Sequence, residues 1–195
     1  MSLESEPIEK GRQPAFFASF LRNRSGSTAV EFALLSIPFA VLVFAILETC
    51  ISFAGQQVMA NATDDIARQI RTGQLKPGPA LTETTLKTMI CDRLNVIVSP
   101  TTCLEELEVD LREFPTFAAA SAVRIKLTAG DRYTRDLDTS DFDVDPGLSQ
   151  SKNMLRVFYR WPVITDFMSK LVSNIQGGKT LHIATATWQN EPFDD

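Results

Sequence analysis

An acidic side chain stands inside a long apolar stretch near the N-terminus. Between positions 29 and 54 the only charged residues are Glu31 and Glu48. A charged side chain at the centre of a membrane helix costs about 2.5–3.5 kcal/mol on translocon scales. The position of Glu31 therefore predicts a function that offsets this cost, and the chemistry open to a carboxylate there is ion pairing with a cation that arrives during assembly.

A Gly–Ser step, Gly26–Ser27, precedes the apolar stretch and follows the basic residues Arg22 and Arg24. If the peptide bond after Gly26 were cut, Ser27 would carry a free α-ammonium group one helical turn before Glu31. At a separation of about 4 Å and an effective dielectric constant near 20, such a pair attracts by about 4 kcal/mol. The pair could form within one helix or between subunits and so set the register of packed helices. The alternative is that Glu31 lies in the headgroup region near the start of the helix.

The apolar stretch is long enough to cross a membrane. Residues 32–47 carry no charge, and a bilayer core requires about 20 helical residues. We therefore predict one transmembrane helix at residues 27–54. Glu48 is either a second polar contact or, as we favour, a marker of the outer interface. A cleaved secretory signal fits less well, because the apolar run is longer than the usual 7–15 or so residues.

Basic residues flank this run on one side only. Arg22 and Arg24 immediately precede it, whereas the first basic residue after it is Arg68. The positive-inside rule then predicts a cytoplasmic N-terminus. The expected topology is a single-pass membrane protein, with the N-terminus inside and residues 55–195 as a domain outside.

The charge balance and the few chemistry-bearing side chains disfavour several classes of function. The chain has a net charge of −5 and an isoelectric point near 5.0, and no basic face for nucleic acid is evident. The single histidine, His182, has no obvious base or nucleophile as a partner in the sequence. Asp141, Asp143 and Asp145 alternate, but Pro146 stands where a calcium loop needs glycine. We expect no catalytic residue, no cofactor and no metal ion.

The three cysteines fall into two groups. Cys50 lies in the apolar run and is expected to act as a small hydrophobic residue. Cys91 and Cys103 lie in the outer region, where an oxidising compartment would permit a disulfide. Closing so short a loop is worth about 3 kcal/mol in the chain-entropy model. Zinc binding is disfavoured, because there is no second cysteine pair and His182 is distant in the sequence.

Helical periodicity continues beyond the membrane. Apolar residues recur at every fourth position, which covers one face of a helix. The repeat predicts that the first helix extends to about residue 72 and stops at Gly73, and Pro38 should kink it. The repeated positions are Val58, Ala62, Ile66 and Ile70.

The rest of the chain mixes short helices with strands. We predict helices near residues 86–97 and 164–175, and a polar loop over residues 130–152. Runs of alternating or β-branched residues predict four strands, which favours an α+β domain with an antiparallel sheet. The predicted strands are residues 107–111, 123–127, 154–161 and 180–188.

Several of these segments resemble one protein family. The stretch Gly26–Leu34, followed by Ile37–Pro38, resembles the TadE-like minor pseudopilins of the tight-adherence (Tad, Flp-type) pilus assembly system. Weaker likenesses occur at residues 67–73, at Arg160–Pro162 and at Asn190–Phe193. The sibling TadF-like and TadG-like groups share the N-terminal motif, and the length and C-terminal ending favour the TadE-like group.

The resemblance implies a processing step and a set of partners. In that family a prepilin peptidase cuts after the glycine, so residues 1–26 would be a leader peptide and Gly26–Ser27 the processing site. Glu31 and Phe32 would stand at mature positions five and six, where the peptidase and the assembly machinery recognise the chain. The implied fold is type IV pilin-like. The implied partners are the inner membrane, the prepilin peptidase, other pilins and pseudopilins, and the pilus assembly machinery.

Two functional interpretations remain open at this point. The first is a minor pseudopilin that takes part in assembly or export of an adhesive Flp-type pilus, whether or not it enters the fibre. The second is an uncleaved single-pass membrane protein whose periplasmic domain binds or senses. Neither interpretation makes the chain an enzyme.

Overall fold

The computed structural model describes residues 27–193, which fall into two units that divide after Phe44. The predicted leader, residues 1–26 with Gly26, lies outside the described residues. In the first unit, the described residues form the N-terminal part of helix α1, which runs from Ser27 to Arg71. The remainder of α1 belongs to the second unit.

The second unit follows α1 with a mixture of short helices and strands. Thr82 and Ser99 cap two of the helices, because the hydroxyl of each accepts a hydrogen bond from a backbone N–H in the first turn. The elements are α2 (Glu83–Leu94), α3 (Pro100–Glu106), β1 (Leu107–Phe114), α4 (Phe117–Ala122), β2 (Val144–Asp145), β3 (Lys152–Pro162), α5 (Asp166–Val172), a 3₁₀ turn (Gln176–Gly178) and β4 (Lys179–Gln189).

Within residues 27–193, the four strands form one sheet in the order β2-β1-β3-β4. β3 pairs antiparallel with both β1 and β4. β2 pairs parallel with β1, which is possible because the connection between them is long enough for a crossover. The predicted α+β class with about four strands is confirmed, but the sheet is mixed rather than wholly antiparallel.

One of the predicted strands is wrong. Residues 123–127 do not join the sheet and make only an isolated bridge, Leu127 to Leu137. The edge of β1 that they would need is occupied by β2, with Leu111 opposite Val144. Ile125 and Leu127 also remain exposed, so the alternation in this segment does not correspond to a buried face.

The core lies between the sheet and the C-terminal part of α1. The predicted face of α1 is confirmed, because Ala62, Ile66 and Ile70 are buried and Val58 packs partly buried against them. The buried residues of α2, which include Leu86, Ile90 and Leu94, complete the layer opposite the sheet. The other buried apolar residues of this cluster include Met59, Leu107, Val109, Leu111, Leu155, Val157 and Trp161.

Helix α1 ends at the predicted glycine. Gly73 has φ = 71°, a left-handed conformation that glycine adopts without steric cost. The N–H of Gly73 donates to the carbonyl of Ile70, and the N–H of Gln74 donates to the carbonyl of Gln69. These two bonds form a Schellman motif, which satisfies carbonyls that the helix end would otherwise leave unpaired.

Candidate functional site

The N-terminal half of α1 carries a continuous exposed apolar surface. The most apolar 18-residue window of this helix has none of its residues buried, and the helix is long and apolar enough to cross a membrane. A core helix of a soluble protein would bury one face, and exposed apolar patches of this extent mark membrane or protein contacts. The exposed side chains include Val30, Phe32, Leu34, Leu35, Ile37, Phe39, Leu42, Phe44, Ile46, Leu47, Ile51 and Phe53.

The predicted recognition residues lie at the start of this surface. Ser27 is the first residue of α1, and Glu31 follows four positions later, about one helical turn along the chain. Phe32 has 73% of its surface exposed. The cleavage step itself, with Gly26, falls outside the described residues, and its role remains a prediction.

The predicted disulfide is present in the second unit. Cys91 of α2 is bonded to Cys103 of α3, with their Cα atoms 5.7 Å apart. Both residues are buried in the core cluster, so the bond fixes α3 to α2. Among residues 27–193 the one free cysteine is Cys50, which is exposed on α1.

Glu48 anchors a short helix to α1. Its carboxylate accepts hydrogen bonds from the backbone N–H groups of Ile164 and Thr165 and from the Thr165 hydroxyl. These groups immediately precede α5, and a negative charge at the start of a helix is favourable because of the helix dipole. Glu48 is therefore a polar contact inside the second unit, made to the chain's own backbone and to a hydroxyl group rather than to a cation.

Two further polar residues follow Glu48 at intervals of four. The Ser52 hydroxyl lies 3.0 Å from Nε2 of His182, and the Gln56 amide donates to the carbonyl of Ile183 at 2.8 Å. Glu48, Ser52 and Gln56 thus form a polar stripe along one side of α1 that bonds to the segment before α5 and to β4. The four-residue spacing was visible in the sequence, but its partners lie more than a hundred residues away.

Gly55 allows α1 to approach the sheet closely. A β-carbon built at Gly55 would stand 2.3 Å from the indole ring of Trp161. Trp161 in turn stacks on His182, with ring centroids 5.2 Å apart and an interplanar angle of 11°. The indole therefore fills the space between the helix and β4.

The environment of His182 keeps its ring neutral near pH 7. Burial lowers the pKa of His182 from 6.5 to about 4, because the low-dielectric surroundings disfavour the imidazolium form. The ring contacts are the Ser52 hydroxyl and the Trp161 indole. His182 therefore connects β4 to α1 through its contact with Ser52.

Residues 190–193 pack against the C-terminal end of α1. Arg71 forms an ion pair with Glu191 at 3.3 Å, and the N–H of Glu191 donates to the carbonyl of Arg71 at 2.9 Å. The ring of Phe193 lies against Gly73. The side-chain amide of Asn190 fixes the start of this C-terminal segment. It accepts a hydrogen bond from the Trp188 indole and donates hydrogen bonds to the carbonyls of residues 147 and 148.

The opposite face of the sheet carries one buried ion pair and two partly buried ones. The carboxylate of Asp110 is fully buried and accepts hydrogen bonds from Nε and Nη2 of Arg156 at 2.9 and 2.6 Å. Arg160 bridges Glu108 and Asp136. Burial alone would raise the pKa of Asp136, but the hydrogen bonds from Arg160, the Leu137 backbone and Gln176, together with the charge of Arg160, lower that pKa. Within the described ranges, no three metal-ligating side chains are grouped to hold a metal ion.

Comparison with known proteins found a similarity in the N-terminal part of the chain. A family model described as TadE-like protein matches residues 26–68. Searches of curated proteins and of solved structures gave no match. The matched range begins at Gly26 and contains Glu31, Phe32, the exposed apolar surface and the polar stripe, whereas the sheet lies outside it.

The motif, the apolar helix and the family match therefore agree on one segment. Residues 26–68 are therefore similar to TadE-like proteins.

Proposed function

We propose that this chain is a membrane-anchored minor pseudopilin that takes part in assembly or export of a Tad pilus after cleavage between Gly26 and Ser27. In this proposal residues 1–26 are a cytoplasmic leader and residues 27–54 span the inner membrane. Residues 55–195 form the periplasmic domain. The chain is a substrate of a prepilin peptidase rather than an enzyme.

The exposed apolar surface of α1 carries this proposal. A surface without a single buried residue in its most apolar window needs a cover other than this chain's own core. Lipid provides that cover before assembly, and the apolar helices of other pilin-like subunits provide it afterwards. The family match over the same residues adds the pilus system as the setting.

The role proposed for Glu31 follows from its place in α1. Because Ser27 begins the helix, cleavage before Ser27 creates an α-ammonium group one turn from the Glu31 carboxylate. In a bundle of apolar helices, pairing of these opposite charges favours one register over others. Phe32 stands beside it, exposed and available to the peptidase or to a neighbouring subunit.

The cleavage is tested by the intact mass of the protein extracted from membranes. Cells that contain the matching prepilin peptidase should yield a protein that lacks residues 1–26 and begins at Ser27. Cells without the peptidase, and a Gly26→Val variant, should retain the full N-terminus. An uncut chain in peptidase-positive cells that make pili would overturn the proposal and favour a tethered binding or sensory protein.

The role of Glu31 is tested by two matched variants. Glu31→Gln keeps the size of the side chain and removes its charge, whereas Glu31→Asp keeps the charge. Both variants should insert in the membrane, and only Glu31→Gln should lose most surface pili, counted by electron microscopy. Normal piliation with Glu31→Gln would show that the carboxylate does not set register.

A further inference from the structure

A groove opens between α1 and α5 in the second unit. It has a volume of about 450 Å³ and is lined mostly by apolar side chains, including Phe53, Val163, Met168 and Val172. Trp161 and His182 also line it. All of these residues follow Phe44, so the groove belongs to one compact unit.

The segment that borders this groove presents apolar side chains outward. Ile164, Phe167 and Leu171 have 82%, 58% and 62% of their surfaces exposed. Their spacing of three and four positions places them along one side of α5 and of the residues just before it. We call these three residues the apolar flank. The intervening Asp166, Ser169 and Lys170 are polar, which is typical of an amphipathic segment.

Glu48 fixes the apolar flank beside the end of the membrane helix. Its carboxylate bonds the backbone of Ile164 directly. Leu47 and Ile51, which flank Glu48 on α1, are about half exposed. The apolar surface of α1 therefore continues at this point onto the apolar flank.

We propose that the apolar flank lies in the interface of the lipid bilayer, with acyl-chain carbons entering the groove. The continuity of the two apolar surfaces supports lipid as the occupant, since lipid is the cover proposed for the α1 surface before assembly. Amphipathic helices that present Phe and Leu on one face and polar residues on the other lie in the plane of a membrane in this way. This inference rests only on the membrane anchor and does not require cleavage or a role in the pilus.

The test measures lipid contact at single labelled positions of the full-length protein. The background carries Cys50→Ser, so that a nitrobenzoxadiazole label attaches only to an introduced cysteine while the Cys91–Cys103 bond stays intact. Phe167→Cys and Leu171→Cys report on the apolar flank in phosphatidylcholine vesicles that contain doxyl-labelled lipid. Val96→Cys is the matched control, because Val96 is an apolar residue with 86% of its surface exposed outside the groove.

The proposal expects blue-shifted emission at positions 167 and 171 and severalfold stronger quenching by doxyl lipid than at position 96. A label at Leu42→Cys checks the anchor itself. Quenching at position 42 with a water-exposed signal at 167 and 171 would overturn the proposal and leave the anchor standing. A blue shift at 167 and 171 that doxyl lipid does not quench would identify protein as the occupant and also overturn it. A water-exposed label at position 42 would refute both the anchor and the proposal.

Discussion

Gly55 and Trp161 are in contact across the junction of helix and sheet. The indole occupies the space that a β-carbon at position 55 would need, at 2.3 Å. Trp161 is 7% exposed and belongs to the main core cluster. The absence of a side chain at Gly55 therefore sets how closely α1 approaches β3.

Gly55→Ala should destabilise the second unit by about 1–3 kcal/mol, because the added methyl group forces the indole or the helix to move. Thermal unfolding of the full chain in detergent, followed by near-ultraviolet circular dichroism, measures this effect. The predicted sign is opposite to helix propensity, which favours alanine over glycine by about 1 kcal/mol.

A second background separates the steric effect from other causes. In Trp161→Leu the space is free, so Gly55→Ala should become neutral or stabilising there. Equal destabilisation in both backgrounds would mean that the Gly55–Trp161 contact does not limit the approach.

His182 should make the stability of the protein depend on pH. The pKa of His182 is about 4 in the folded protein, whereas an unperturbed histidine, as in the unfolded chain, has a pKa of 6.5. As the pH falls, the unfolded chain therefore binds a proton at this residue before the folded protein does. The stabilising contribution is complete above pH 6.5 and is lost as the pH falls toward 4. Between pH 7 and pH 5 the loss should be about 1–2 kcal/mol, after allowance for partial solvent screening.

The matched variant is His182→Gln, which keeps a polar side chain that does not titrate. The free energy of unfolding of wild type and variant should be measured at pH 7 and pH 5, since the other groups titrate equally in both. Parallel pH profiles for the two proteins would contradict a buried neutral histidine.

Removal of Asp110 should be among the most destabilising single changes. Asp110→Ala leaves the guanidinium of Arg156 buried without its carboxylate, and loss of one partner of a buried pair costs about 3–5 kcal/mol. Asp141→Ala is the control, because Asp141 and its partner Lys126 are both more than half exposed. Denaturant unfolding should separate the two variants clearly.

Replacing both members of the buried pair offers an internal check. In Asp110→Leu/Arg156→Met, apolar side chains of similar size should recover part of the stability that Asp110→Ala loses. If the double variant is as unstable as the single one, the cost arises from packing rather than from an uncompensated charge.

Reduction of the Cys91–Cys103 bond should lower stability. Cys91→Ala/Cys103→Ala should lose about 2–4 kcal/mol, as closed loops of this kind do. A reductant should lower the melting temperature of wild type and leave that of the double variant unchanged. The melting temperature of Cys50→Ser should fall with reductant as that of wild type does. A wild-type melting temperature that does not change with reductant would show that the bond is absent.

The sequence by itself determined the features that depend on neighbours along the chain. The apolar run predicted an exposed helix long enough for a membrane, and the fourfold spacing of Ala62, Ile66 and Ile70 predicted the buried face. Gly73 marked the end of α1, since the Schellman motif needs only local residues. The disulfide followed from two cysteines outside the apolar run.

Only the tertiary structure decided which segments meet. Residues 123–127 alternate like a strand, yet the edge of β1 is filled by β2, and the availability of an edge cannot be inferred from local pattern. Glu48 lies in the apolar run like a membrane marker, but its hydrogen bonds go to residues more than a hundred positions later. Pairings over such separations depend on the packing of the whole unit, because the free energy of each contact is set by burial and by the geometry of groups brought together from distant parts of the chain.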